Sequence, residues 1–143
     1  MRHAPFSFMD QETGDLAIRN LRTNENTRLT HEGTWDDPIH FALTNVISPD
    51  GKQIAYSWYN DKKTYDLKLI DLGNKTPVTL YSADADIEIY PVSWFSDGKR
   101  IIVQKFKKLN DKYTWQLSSV NINTRQKTGI INNAFMMYFF EQS

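Results

Sequence analysis

Two short acidic segments offer the clearest chemistry in the chain: Trp35-Asp36-Asp37 and Asp84-Ala85-Asp86-Ile87-Glu88. Asp36 and Asp84 stand 48 positions apart, so the two segments occupy matching places in any repeat of that length. Clustered carboxylates suit a hard cation such as Ca²⁺, which collects about six to eight oxygen ligands. The spacing matches no helix–loop–helix calcium loop, and a solvated acidic loop is the simpler reading, so no metal or other cofactor is assigned. Lysines form a second set, Lys62-Lys63 in one predicted loop and Lys105, Lys107, Lys108 and Lys112 along another that covers 107–112. Side by side, the two signs would make a rim able to hold a polypeptide by complementary pairs. Taken singly, each lysine serves solubility. Trp35 falls outside the strand patterns that absorb the other tryptophans, and exposed aromatics are enriched at binding hot spots. The candidate contact residues are therefore Trp35, Asp36, Asp37, Lys62, Lys63, Asp84, Asp86, Glu88 and Lys108.

Other chemistries lack their residues. His3, His31 and His40 are too scattered to pair as ligands at helical or hairpin spacing. No Gly-x-Ser-x-Gly elbow is present, so a serine nucleophile is missing. No glycine-rich phosphate loop is present either. The absence of cysteine removes disulfides, thiolate catalysis and the common structural zinc sites. Seventeen basic and 17 acidic residues cancel, so no global field recruits nucleic acid or an anionic membrane. The longest apolar run, Ala134 to Phe140, is too short to span a bilayer. Met1-Arg2-His3-Ala4-Pro5-Phe6 contains no apolar region of signal-peptide length.

These residues need a scaffold, and the sequence specifies one by repetition. Asn45 to Trp58 reads as strand, tight turn, strand. Pro49 presets the second turn position, Asp50 tolerates the third, and Gly51 takes the left-handed conformation that closes it. Ile54, Tyr56 and Trp58 then alternate with Ala55 and Ser57, the period of a strand. The unit returns at Trp94-Phe95-Ser96-Asp97-Gly98-Lys99: Asp50 to Asp97 and Gly51 to Gly98 are each 47 positions apart. Asn20, Asp71 and Asn121 end equivalent third strands, each followed by a polar turn and a short fourth strand. Helical periodicity is nearly absent. Four short strands repeating at about 40–50 residues predict an all-β chain of β-propeller blades.

With the Ser-Pro-Asp-Gly turn in place, the chain resembles the TolB-like, WD-like propeller repeats, including those of prolyl-oligopeptidase-type proteins. Ile47-Ser48-Pro49-Asp50-Gly51-Lys52 follows the family turn, and the second copy keeps Asp97-Gly98-Lys99 while departing at two positions. Ile70-Asp71-Leu72-Gly73 carries the third-strand mark, and Arg28-Leu29-Thr30 the fourth-strand one. The resemblance covers roughly Gly14 to Ile131. It implies blade one over about residues 4–30 without its inner strand, blade two over 39–81, blade three over 87–131, and a further inner strand at 135–140. That is three blades' worth, whereas propellers close with at least about four. Either the chain belongs to a longer propeller, or two copies form a homodimer by exchanging strands at their open edges. The function expected is a non-catalytic scaffold for a protein or peptide partner, with no nucleic acid and no membrane insertion. The alternatives are the propeller portion of a prolyl-oligopeptidase-like hydrolase and a module binding a small molecule or cation. By family analogy the location is periplasmic if the N-terminus is incomplete, and otherwise cytoplasmic. Pro49, Asp50, Gly51, Asp97 and Gly98 are expected to build turns, and Asp50 and Asp97 to cap them through backbone N–H groups.

Overall fold

The computed structural model describes residues 5–132. Over them the chain is all β, in three antiparallel sheets. The first holds β1 (Phe6–Met9), β2 (Leu16–Arg19) and β3 (Asn26–Arg28) in chain order. The second holds β4 (Phe41–Ile47), β5 (Gln53–Tyr59), β6 (Tyr65–Asp71) and β7 (Pro77–Ser82). The third holds β8 (Ile87–Trp94), β9 (Arg100–Leu109), β10 (Lys112–Asn121) and β11 (Lys127–Asn132). The expected strand at 135–140 and the residues before Pro5 lie outside the described part.

Repeated turn chemistry sets the strands. Ahead of β5 and β9, Gly51 N–H donates to Ser48 O and Gly98 N–H to Phe95 O, both glycines at positive φ. After β2, β6 and β10 one device recurs three times. Asn20, Asp71 and Asn121 each accept two following backbone N–H groups on Oδ1. Four residues on, Asn24, Lys75 and Arg125 turn left-handed, at φ of 62°, 56° and 63°. A short polar side chain bonded to its own turn offsets that backbone conformation.

Alternation along β5 divides the core. Ile54, Tyr56 and Trp58 pack with Leu16, Leu29 and Ala42 between the first and second sheets. Ala55 packs with Leu67, Leu69, Ile89, Ile101, Val103 and Val120 between the second and third. A strand buried on both faces carries apolar residues at successive positions, each buried side chain contributing about 1.5–3 kcal/mol. Hydrogen bonds also tie the second sheet to the third. Ser57 Oγ donates to Ile89 O (2.6 Å), and Trp94 Nε1 to Val46 O (3.1 Å).

One local expectation fails. The lysine-rich stretch 107–112 reads as a loop, yet β9 and β10 continue through it to a two-residue turn at Asn110-Asp111. Both turn residues have positive φ, 51° and 63°, the backbone of a tight hairpin that Asn and Asp tolerate. Lys107 and Lys108 are exposed strand residues, and their polarity disguised the strand.

Candidate functional site

Strand register collects the candidate residues at one end of the sheets. Phe41 pairs with Tyr59, Tyr59 with Tyr65, and Asp66 with Ser82. The approach to β4, the β5–β6 turn and the end of β7 thus share a rim. In the third sheet Ile87 pairs with Lys107 and Lys112 with Leu109, placing the start of β8 beside the β9–β10 turn. A ladder of rings joins the two ends. Trp35 meets Phe41 (5.0 Å between centroids), Phe41 meets Tyr59 (5.5 Å), and Tyr59 meets Tyr65 (5.2 Å). Tyr65 crosses to Tyr90 (5.7 Å), which meets Phe106 (5.7 Å), and Phe106 meets Trp115 (4.3 Å). Tilted and edge-on pairs of this kind add roughly 0.5–1.5 kcal/mol each beyond burial. Tyr90 also donates its hydroxyl to Glu88. Burial first, and then Glu88, push that hydroxyl far above the ordinary tyrosine range, so it stays a donor.

Around the ladder sit the charges. Trp35 is 44% exposed, its Nε1 donating to Gln11 O (2.9 Å), so one edge is held and the other faces solvent. Asp36 and Asp37 are exposed beside it. Lys62 and Lys63 are exposed in the β5–β6 turn, which Asn60 Oδ1 braces by accepting from Lys62 N–H (3.0 Å). Asp84 is exposed ahead of β8, its carbonyl accepting from Ile87 N–H (3.0 Å). The structure does bring some opposite charges together. Asp86 lies 3.9 Å from Lys107 Nζ, and its carbonyl accepts from Lys108 N–H (3.3 Å). Lys108 Nζ sits 5.9 Å from the Tyr113 ring centre. Among the described residues, no three His, Asp or Glu side chains converge as metal ligands.

Sequence reasoning missed two features here. The ladder was legible only in part: Tyr59 and Phe106 stand 47 positions apart at matching strand ends. The other is Asp15, 1% exposed. Its Oδ1 accepts from Thr30 Oγ1 (2.8 Å) and Gly33 N–H (2.8 Å), and its Oδ2 lies 3.4 Å from Arg28. A Cβ on Gly33 would meet Thr13 O at 2.6 Å, so glycine permits this approach. Asp15 follows Gly14 and reads in sequence as another turn residue.

The opposite rim carries the turn aspartates. Asp50 Oδ1 accepts from Ser48 Oγ (2.6 Å) and Lys52 N–H (3.0 Å). Asp97 Oδ1 accepts from Lys99 N–H (2.9 Å), and its Oδ2 accepts from Arg100 Nε (3.2 Å). The Ser48 bond foremost holds Asp50 below the ordinary carboxylate value, and the Lys99 N–H does so for Asp97.

No family model matches the chain, and no curated protein does. Solved structures do. TolB from Acinetobacter baumannii superimposes over 89% of this chain and 30% of its own, with a TM-score of 0.65 at 20% identity. Porphyromonas gingivalis dipeptidyl peptidase 4 gives a TM-score of 0.69 at 12% identity, over 91% of this chain and 24% of its own. The β-propeller domain of the Trilobed protease from Pyrococcus furiosus gives 0.56 at 20% identity, over 90% and 37%. The chain spans well under half of each of these structures. At such identities the likeness is one of fold, and no helix among the described residues is long and apolar enough to cross a membrane. The described chain is a partial β-propeller, similar to TolB-like and prolyl-peptidase-type propeller domains.

Proposed function

We propose that the chain is a non-catalytic propeller scaffold that holds a protein or peptide on the rim bearing the ring ladder. One observation carries this reading. Asp36, Asp37, Lys62, Lys63 and Asp84 surround an aromatic stripe, and none has a side-chain partner among the described residues. A ring-lined centre with charges at its border is the composition of a binding surface. Periplasmic residence is the location that goes with the TolB likeness.

Site-specific photo-crosslinking tests the reading in cells. A photoreactive residue at position 62 or 84 should give a discrete adduct, and one at position 52 or 99 on the opposite rim should give none. Equal labelling from both rims, or from neither, would overturn it.

The peptidase neighbours favour a second reading, in which the rim faces a catalytic domain of the same protein. The photo-crosslink would then form within a longer chain. Self-association is the third. Among the described residues β1 pairs with β2 alone, leaving one edge of the first sheet open. Strand exchange between two copies would cover that edge. Light scattering over a concentration series should then show a dimer that is lost on deleting residues 135–143, and a monomer throughout would exclude it.

A further inference from the structure

Where the second sheet meets the third, one tyrosine lies under two lysines. Lys127 Nζ stands 3.6 Å from the centre of the Tyr81 ring, and Lys105 Nζ stands 4.6 Å from it. They come from separate strands, Tyr81 from β7, Lys105 from β9 and Lys127 from β11. Gln116 faces Lys105 directly across the β9–β10 ladder. Gln116 is exposed, and its amide lies beside Gly129 of β11, where a Cβ would stand 3.6 Å from Gln116 Nε2. Beside Lys105 a cavity of roughly 150 Å³ opens between Lys107, Thr114 and Gln116.

Two ammonium groups over one ring repel each other. The ring face offsets part of that repulsion by cation–π attraction, but a carboxylate would offset more. Among the described residues neither lysine has one. Asp86, just ahead of β8, pairs with Lys107 (3.9 Å), and Glu88 accepts from the Tyr90 hydroxyl. Partial burial holds Lys105 below the ordinary lysine value, and the charge of Lys127 pushes it the same way. Burial raises the Tyr81 hydroxyl, but its bond to Lys127 and the two lysine charges bring it below its ordinary value overall.

We propose that Tyr81, Lys105 and Lys127 form a binding site for a compact oxyanion, a phosphate or a carboxylate, with Gln116 as a further donor. Lysine suits this role as a point charge, and a hydroxyl and an amide add direction. The site is independent of the partner proposed for the ring-lined rim, since a free anion fills it without any protein.

Calorimetric titration of the full chain at constant ionic strength tests it, with inorganic phosphate, glutarate and chloride as the three probes. Saturable binding of phosphate or glutarate above the chloride background is expected, and which of them binds tighter assigns the oxyanion. Lys127→Gln, at an exposed position of β11, should weaken it about tenfold, the loss of one charge-assisted bond. Tyr81→Phe should weaken it less, and Lys62→Gln should leave it unchanged. Phosphate and glutarate responses no different from chloride would overturn the site. So would binding that survives Lys127→Gln and Lys105→Gln together in a variant that melts like the parent.

Discussion

The two rims of the sheets use the same residue types for different ends. On the rim of Asp50, Asp97, Asn20, Asp71 and Asn121, each of these side chains is consumed by backbone N–H groups of its own turn. On the ring-lined rim, Asp10 and Asn60 brace their turns in the same way. Asp36, Asp37, Asp84, Lys62 and Lys63 do not. In a repeat protein an acidic residue is informative only after its turn duty has been subtracted. Asp36, Asp37 and Asp84 are left over, and all three lie on the rim of the aromatic ladder.

Asp15 is the sharpest exception, a carboxylate on the ring-lined rim spent wholly on structure. Asp15→Ala would leave Thr30 Oγ1 and Gly33 N–H without their acceptor in a buried place. Charge-assisted bonds and orphaned donors of this kind cost about 2–4 kcal/mol together. A large drop in Tm is expected, and a variant melting within a degree or two of the parent would dissolve the distinction drawn here. Ser57→Ala should follow at about 1–2 kcal/mol, because it strips the buried Ile89 carbonyl of its donor. Denaturant unfolding of both variants ranks them.

Much of this was legible in the sequence. The limits of β4 and β5 follow from alternation and from the Ser48–Gly51 turn, and the 47-residue offset carries the pattern into the third sheet. Local rules were enough because turns and strand periods are local. Most of the ladder, Asp15 and the Tyr81 cluster were not legible, for a shared reason. Tyr65 and Tyr90 meet across sheets, Asp15 and Gly33 from either side of the β2–β3 hairpin, and Tyr81 and Lys127 from the second and third sheets. Such contacts depend on how blades pack, which no single turn encodes. Lys107 and Lys108 misled in the opposite way, since polarity on an exposed hairpin mimics a loop.

The turn rim allows a finer test. Asp50 and Asp97 both have depressed folded-state pKa values, so their contribution to stability is present above the unfolded value of 3.8 and lost as pH falls through the folded one. The Tm gap between the parent and Asp50→Ala should be full at pH 6 and close on acidification below about pH 4. Raised salt should shrink the effect of Asp97→Ala more than that of Asp50→Ala. Arg100 is an ion-pair partner of Asp97, whereas Asp50 is held mainly by the Ser48 hydroxyl and a backbone N–H. Equal salt responses would mean that the Arg100 pair adds nothing.

The smallest expected effect on stability decides the most about function. Asp36→Asn, Asp37→Asn and Asp84→Asn remove three exposed charges that support no turn through their side chains. Combined in one chain, they should move stability by no more than about 0.5 kcal/mol. If the rim binds a partner through complementary charge, the same variant should lose the crosslink from position 62, and lose it mainly through slower association. A triple variant that melts lower would show these carboxylates to be structural after all, like Asp15. One that melts like the parent and still crosslinks would move the contact onto the rings alone, with Trp35→Ala as the substitution to abolish it.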